Sequence, residues 1–280
     1  MIPIMFSDFA HRRLLNTTRR VQKRAIRIVA LLALALAVQV SAQEVAADAP
    51  DVNMIYVPAS DRSRLAAESL LLPRDLFLSE SKFLELFVWS KPITVWIGDC
   101  KQGGSEYVPN ANVIQLCLSD AISVYSLYHA AKNTDDVSKT ASQNTMVFVL
   151  LHEAGHAFVS LYNLPTTGSQ EDAADEFAAL VMATQPNARQ AGLFAAYWFL
   201  LRGRYFAQPT SWDSHDADAR RSAHIACLID GAFPGQYARD LTQLGLQPSY
   251  EPSCIQQYQR QRAIWSYFLT PHLKNGTVWW

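Results

Sequence analysis

The chain has 280 residues, enough for one large domain or two small ones, and a formal net charge of −1. Residues 1–42 hold 7 of the 24 Lys and Arg but only 1 of the 25 Asp and Glu, so the remaining chain has a net charge of −7. An acidic domain has no electrostatic basis for binding nucleic acid, and we exclude that class of function.

The N-terminal segment, residues 1–42, has the three parts of a secretory signal peptide. Seven basic residues precede an apolar run at 28–38, and Val40, Ser41 and Ala42 form a small-residue cleavage site. The apolar run has 11 residues, whereas a bilayer span needs about 20. We therefore expect a cleaved signal, a periplasmic or secreted protein and no stable membrane span after cleavage, with an uncleaved anchor as the alternative.

Residues 43–53 are small and polar, which predicts a flexible leader, and residues 54–280 are expected to form one domain. Residues 60–90 follow a helical period that Pro73 interrupts, so two helices are predicted there.

Two stretches rich in β-branched residues, 92–98 and 113–119, are predicted to be strands of a small sheet. The polar residues 131–144 are predicted to form a loop. Residues 145–164 contain no proline and are apolar around most of the helical circumference, which indicates a buried helix. Ser169 followed by Asp172 resembles a capping box, so a new helix is expected to begin there. Further helical patterns cover 188–206 and 214–280, with breaks at 231–235 and 245–252.

Four cysteines remain after the predicted signal, and an even number in an oxidising compartment suggests two disulfides. Three connectivities are possible from the sequence, and four buried free thiols are an alternative. We favour Cys100 with Cys117 and Cys227 with Cys254, because each pair closes a short loop and each bond would contribute about 3 kcal/mol.

The predicted buried helix contains the motif His152-Glu153-Ala154-Gly155-His156. Histidines four residues apart lie on one helix face, where both imidazoles can reach one zinc ion. Glu153 lies beside the first histidine, where its carboxylate can deprotonate a water. A chance match to this short motif is the alternative, but a buried helix has little reason to carry three such groups without a metal.

A third ligand is required, because catalytic zinc commonly takes three protein ligands and keeps a fourth position open. A histidine at position 162 would complete one known pattern, but Tyr162 is there. Glu171 is the predicted ligand, and Asp175, one turn later on the same face, is predicted to orient a ligating histidine. Asp172 and Glu176 are possible competitors that point away from that face.

HEAGH (152–156) followed by EDAAD (171–175) is similar to the signature of glutamate-ligated zincins, especially the prenyl-protein endopeptidases. The longer run 152–179, with SHDADARR (214–221) and the two cysteine pairs, resembles more closely a bacterial family of exported metallopeptidase-like proteins of unknown function. The resemblance implies a zincin-like fold, with His152, His156 and Glu171 as zinc ligands and Glu153 as general base.

The resemblance also draws attention to His215 and Arg221, which repeat the spacing of a downstream His and Arg in the prenyl-protein endopeptidases. The usual proline after that histidine is Asp216 here, which changes the local backbone. His215 is predicted to stabilise the oxyanion of a tetrahedral intermediate. Arg221 is expected to pair with Asp218 or with a carboxylate of the site.

The sequence therefore predicts an α+β, mostly helical, zincin-like fold and an exported endopeptidase that uses one Zn²⁺ and acts on peptides or proteins. The strand at 113–119 is the candidate edge strand for pairing with an extended substrate. Two alternatives stay open: a zinc-containing binding or scaffold protein of the cell envelope without activity, and an envelope structural protein in which the motif is coincidental.

Overall fold

The computed structural model describes residues 51–278, and its gaps are 101–102, 167, 186–187, 206–214, 246, 248 and 250. The side chains of residues 215–217 are also outside the described part. The predicted signal peptide at 1–42 and most of the predicted leader at 43–53 lie outside it as well.

A four-stranded sheet has the spatial order β1-β2-β4-β3. Strands β1, β2 and β4 are parallel, and β3 runs antiparallel along the outer side of β4. The two predicted strands are confirmed, while β1 begins inside the predicted leader and β3 was not predicted. The strands are β1 Val52–Val57, β2 Ile93–Gly98, β3 Glu106–Val108 and β4 Val113–Cys117.

The order of the strands makes one expectation wrong. The stretch 113–119 was predicted to be a substrate-binding edge strand, but β4 pairs with β2 on one side and with β3 on the other. Its backbone groups are therefore used within the sheet. The edge strand on this side is β3, which has only three residues and is followed by Pro109, so it gave too short a pattern to be recognised.

Helices make up most of the described chain, and the α+β, mostly helical prediction is confirmed. Pro73 lies between the first two helices, as expected from its missing N–H group. The helices are α1 Arg62–Leu71, α2 Leu78–Leu84, α3 Leu118–Ala130, α4 Asp135–Tyr162, α5 Gln170–Thr184, α6 Arg189–Tyr205, α7 His215–Ala232, α8 Ala238–Gln243 and α9 Glu251–Leu269, followed by a 3-10 turn, Thr270–His272.

Helix α4 is longer than predicted, and the expected loop at 131–144 is wrong from residue 135 onward. Thr134 caps the helix by accepting a hydrogen bond from the Val137 N–H, and two aspartates in the first turn suit the positive end of the helix dipole. The polar stretch can be helical because its buried serines have hydrogen-bond partners. The hydroxyl of Ser138 donates to the carbonyl of Thr134, and the hydroxyl of Ser142 donates to the carbonyl of Ala121.

The core surrounds the C-terminal half of α4. The ring of Phe158 stacks on Trp89 with centroids 4.5 Å apart and contacts Phe177 of α5 at 5.1 Å. Both phenylalanines are fully buried. Truncating a buried Phe to Ala costs about 3–5 kcal/mol, so this aromatic cluster holds α4 firmly against its neighbours.

Both favoured disulfides are present. Cys100 and Cys117 join the chain after β2 to the end of β4, with Cα atoms 5.3 Å apart. Cys227 and Cys254 join α7 to α9, with Cα atoms 4.9 Å apart. Two disulfides suit an oxidising compartment.

Within the described residues, α4 alone is long and apolar enough to cross a membrane by length and composition. However, 78% of its most apolar window is buried inside the fold. The core helix of a globular domain passes the same test, so this is weak evidence for a membrane span.

Candidate metal centre

Helix α4 places His152 and His156 on one face, as their spacing of four residues requires. Their imidazole planes are nearly perpendicular, and the two Nε2 atoms lie 3.1 Å apart. His152 is only 7% exposed, while His156 is more open to the cleft. The two ring nitrogens face the same space, where both can ligate one cation.

Helix α5 approaches α4 closely at one point, where Gly155 faces Ala174. A Cβ atom added to Gly155 would lie 2.9 Å from the Cα of Ala174, closer than such atoms pack. The glycine in the motif therefore has a packing function. It allows α5 to begin beside the two histidines.

The start of α5 is fixed by its cap. Ser169 Oγ accepts a hydrogen bond of 3.0 Å from the Asp172 N–H, which confirms the predicted capping interaction. Glu171 is consequently in the first turn, where a carboxylate is favoured by the helix dipole and faces the histidine pair.

The three predicted ligands are brought together. Glu171 Oε2 lies 3.4 Å from the Nε2 of His152, and Glu171 Oε1 lies 3.3 Å from the Nε2 of His156. One donor atom from each residue lies within 4.8 Å of the others. Nitrogen and oxygen ligands about 2.05 Å from a tetrahedral zinc are about 3.3 Å apart, so this donor set fits zinc in both chemistry and spacing.

Asp175 connects the ligands to a third helix. Its Oδ1 lies 2.9 Å from the Nδ1 of His152, and it accepts two hydrogen bonds from Arg221 of α7, of 2.6 and 2.9 Å. Arg221 Nη1 also lies 3.4 Å from Glu171 Oε2. Arg221 therefore pairs with carboxylates of the site, one of the two expected arrangements.

The charges of this network shift the pKa of each member. Burial raises the pKa of Asp175, but the hydrogen bonds and charges of His152 and Arg221 outweigh it and hold the pKa below its usual value. Asp175 is thus a carboxylate, so the Nδ1–H of His152 donates to it and Nε2 is free to ligate.

The pKa values of Glu171 and His152 are shifted in opposite directions. Hydrogen bonds from His152 and His156 hold the pKa of Glu171 far below its usual value. Burial lowers the pKa of His152, but the bonds to Asp175 and Glu171 raise it to about 9. In the absence of a metal ion, the imidazole of His152 is therefore protonated near pH 7, and a cation bound there would replace that proton.

Glu153 is 6% exposed and lies beside the ligands without joining them. Its Oε1 is 4.0 Å from His152 Nε2, and its Oε2 accepts a 2.7 Å hydrogen bond from the backbone N–H of Tyr107 in β3. Burial raises the pKa of this carboxyl, while the two histidines and the Tyr107 N–H lower it in part. A carboxylate poised in this way is suited to proton transfer.

The centre lies at the junction of two cavities. One, of about 640 Å³, is lined by Tyr107 and Asn163, and the other, of about 570 Å³, by Phe199 and Arg202. Both are also lined by His152, Glu153 and Glu171. The three side chains therefore face open space on two sides, which together form a cleft.

The other predicted residues lie around this centre. His215 is the first residue of α7, but its side chain is outside the described part, so its predicted role stays a prediction. Asp172 and Glu176 line a separate groove, as their side of the helix indicated. His224 of α7 is partly buried near Glu176.

Two functional features were not identified from the sequence. The contact of Tyr107 with Glu153 is made by a backbone N–H, which every residue except proline carries, so no residue type signals it. Gly155 could have been recognised, because glycine inside a helix costs about 1 kcal/mol relative to alanine and usually has a packing reason.

Comparison with known proteins gives one result. The chain has no significant match among curated proteins or among solved structures. A family with the description "Putative metallopeptidase", DUF4344, matches residues 56–269 and so covers both helices of the centre, strands β2 to β4 and α7. The chain belongs to this metallopeptidase family.

Proposed function

We propose that the protein is an exported zinc-dependent endopeptidase. The observation that supports it most is the convergence of His152, His156 and Glu171, with spacings suited to tetrahedral zinc and with Glu153 beside them. A zinc ion held by these three residues would act as a Lewis acid towards a peptide carbonyl and lower the pKa of water towards about 7.

Glu153 is the proposed general base. Its carboxylate takes a proton from the attacking water and then gives it to the leaving nitrogen of the cleaved bond. The Tyr107 N–H holds one oxygen of Glu153, so the other, Oε1, is the one directed at the water. Burial of the carboxyl favours proton uptake, as a shuttling group requires.

Asp175 and Arg221 are proposed to position the ligands. Asp175 selects the tautomer of His152 that exposes Nε2, and Arg221 holds Asp175 from α7. His215, six residues before Arg221 on the same helix, is the proposed oxyanion donor.

The substrate is proposed to be an extended peptide lying along β3, in place of the strand first expected. β3 is an edge strand, and Tyr107 reaches the cleft from it. Backbone pairing with an edge strand aligns a peptide without regard to its sequence, while side pockets select residues. Export is supported by the two disulfides, which suit an oxidising compartment.

The test is metal content together with cleavage of a diverse peptide library by the purified protein and by Glu153→Gln. We expect one zinc per chain in both, with cleavage by the unchanged protein alone. Zinc in both without any cleavage would favour an inactive binding or scaffold protein. Absence of stoichiometric zinc would reject the proposal.

A further inference from the structure

A second groove, of about 750 Å³, lies on the opposite side of α5 from the candidate metal centre. Its walls are α5, α7, α9 and the segment after α4. Val159, Leu164 and Thr166 line both this groove and the cavity that contains the metal ligands. The two spaces therefore adjoin along this wall.

Much of the lining of this groove is apolar. Ala173, Ile264, Trp265 and Phe268 contribute to it, and the disulfide-bonded Cys227 and Cys254 also line it. Such a lining suits the aliphatic portion of a long side chain, since lysine and arginine bury their stems against apolar surface.

Within this lining lies a carboxylate, that of Glu176. Its side chain is 16% exposed, and the indole N–H of Trp265 donates a hydrogen bond to it. His224 Nε2 lies 3.6 Å from Glu176 Oε1. Burial lowers the pKa of His224, so this imidazole is neutral near pH 7 and does not balance the charge of Glu176.

The nearest arginines leave Glu176 incompletely compensated. Arg220 and Arg260 also line the groove. Arg220 is 70% exposed and lies 3.9 Å from Asp172, and Arg260 is exposed on α9. Burial, with the charges of Asp172 and Asp175, raises the pKa of Glu176 to about 7 despite the Trp265 bond and Arg260. A buried carboxylate of this kind would be stabilised by a cation brought in by a ligand.

We propose that this groove is a specificity subsite for a lysine or arginine side chain of the peptide substrate, with the carboxylate of Glu176 as its counter-ion. The proposal rests on the proposed peptidase function and names its substrate class. Residues 51–280 carry 22 Asp and Glu against 17 Lys and Arg, a balance that also favours cationic peptides.

The test uses peptides that differ only in carrying lysine, arginine or norleucine at each position flanking the scissile bond. At one position, kcat/KM is expected to be about tenfold higher for the basic peptides than for norleucine, mainly through KM. Glu176→Gln should reduce this preference to about twofold or less, because the amide cannot act as a counter-ion.

Asp172→Asn is the matched control, because Asp172 lies one turn earlier at the mouth of the same groove. It should keep most of the preference. No preference in the unchanged protein, or equal loss of it in both variants, would overturn the assignment to Glu176.

A binding measurement separates failure of this subsite from failure of the proposed function. Glu153→Gln, loaded with zinc, is titrated calorimetrically with the lysine and norleucine peptides, and the double variant with Glu176→Gln is titrated in parallel. Tighter binding of the lysine peptide, lost in the double variant, supports the subsite even if no peptide is cleaved. Cleavage without a basic preference rejects the subsite alone.

Discussion

The imidazole of His152 and the carboxylate of Asp175 are joined by a 2.9 Å hydrogen bond between Nδ1 and Oδ1. Arg221 donates to both oxygens of the same carboxylate. A continuous set of charge-assisted bonds thus connects α4, α5 and α7 at the metal centre. Asp175 is 1% exposed, so water cannot replace these partners.

Replacing Asp175 by Asn should weaken zinc binding by about 10- to 100-fold, because His152 loses the carboxylate that orients its ring. The dissociation constant is measured by competition with a chelator. Asp172→Asn, on the same helix but away from the imidazoles, should bind zinc like the unchanged protein. Equal affinities for the two variants would contradict the role given to Asp175.

Glu153→Gln should lower kcat by about 10²- to 10⁴-fold while zinc remains bound, because the amide accepts no proton from water. Cleavage rates and metal content are measured on the same sample. Glu85→Gln, at an exposed residue that lines neither cavity of the centre, is the control and should keep nearly full activity. A Glu153 variant that retains most of its activity would rule out this general base.

Gly155→Ala should destabilise the protein, although the same change in an ordinary helix stabilises by about 1 kcal/mol. The new methyl group meets the Cα of Ala174 and must push α5 away, at a cost of about 1–3 kcal/mol. The urea concentration at the midpoint of unfolding and the affinity for zinc should both decrease. Thr140→Ala, at an exposed position of α4, should change stability by less than about 0.5 kcal/mol. A more stable Gly155 variant would show that the helices do not need this close approach.

Glu176 should make stability depend on pH. Its pKa is raised to about 7 in the folded protein, so its neutral form is favoured by folding, and stability is lost as the pH rises from about 4.5 through about 7. Above pH 7, Glu176→Gln should have a free energy of unfolding about 2–3 kcal/mol higher than that of the unchanged protein, as measured by urea unfolding. Near pH 4 the two proteins should be equally stable. If the difference in unfolding free energy between the two proteins is the same at every pH in this range, the assigned pKa is contradicted.

Zinc should also stabilise the fold. Restoring free zinc to 100 times its dissociation constant after chelation should add about 2.7 kcal/mol to the free energy of unfolding. Thermal unfolding of the protein before and after addition gives the measurement. The double variant His152→Ala, His156→Ala lacks two ligands, so it should show no shift; a similar shift there would place the zinc elsewhere.

Much of the centre was predictable because local chemistry specifies it. Helical periodicity alone puts His152 and His156 on one face, and the capping signal at Ser169 fixes where Glu171 lies in its helix. Short loop length favours the two disulfide pairs that form, although the sequence permits two other connectivities. The polar residues 135–144 were misjudged because their hydroxyls are satisfied inside α4, which polarity alone does not reveal.

The sequence by itself therefore determined the candidate donor residues, their helices and the mostly helical class, since these depend on contacts within a few residues along the chain. Tertiary structure decided which strand forms the edge, that Tyr107 holds Glu153, and that Glu176 lies in a groove beside the centre. Those relationships join segments far apart in sequence. They depend on how α4, α5 and the sheet pack, and no local pattern encodes that packing.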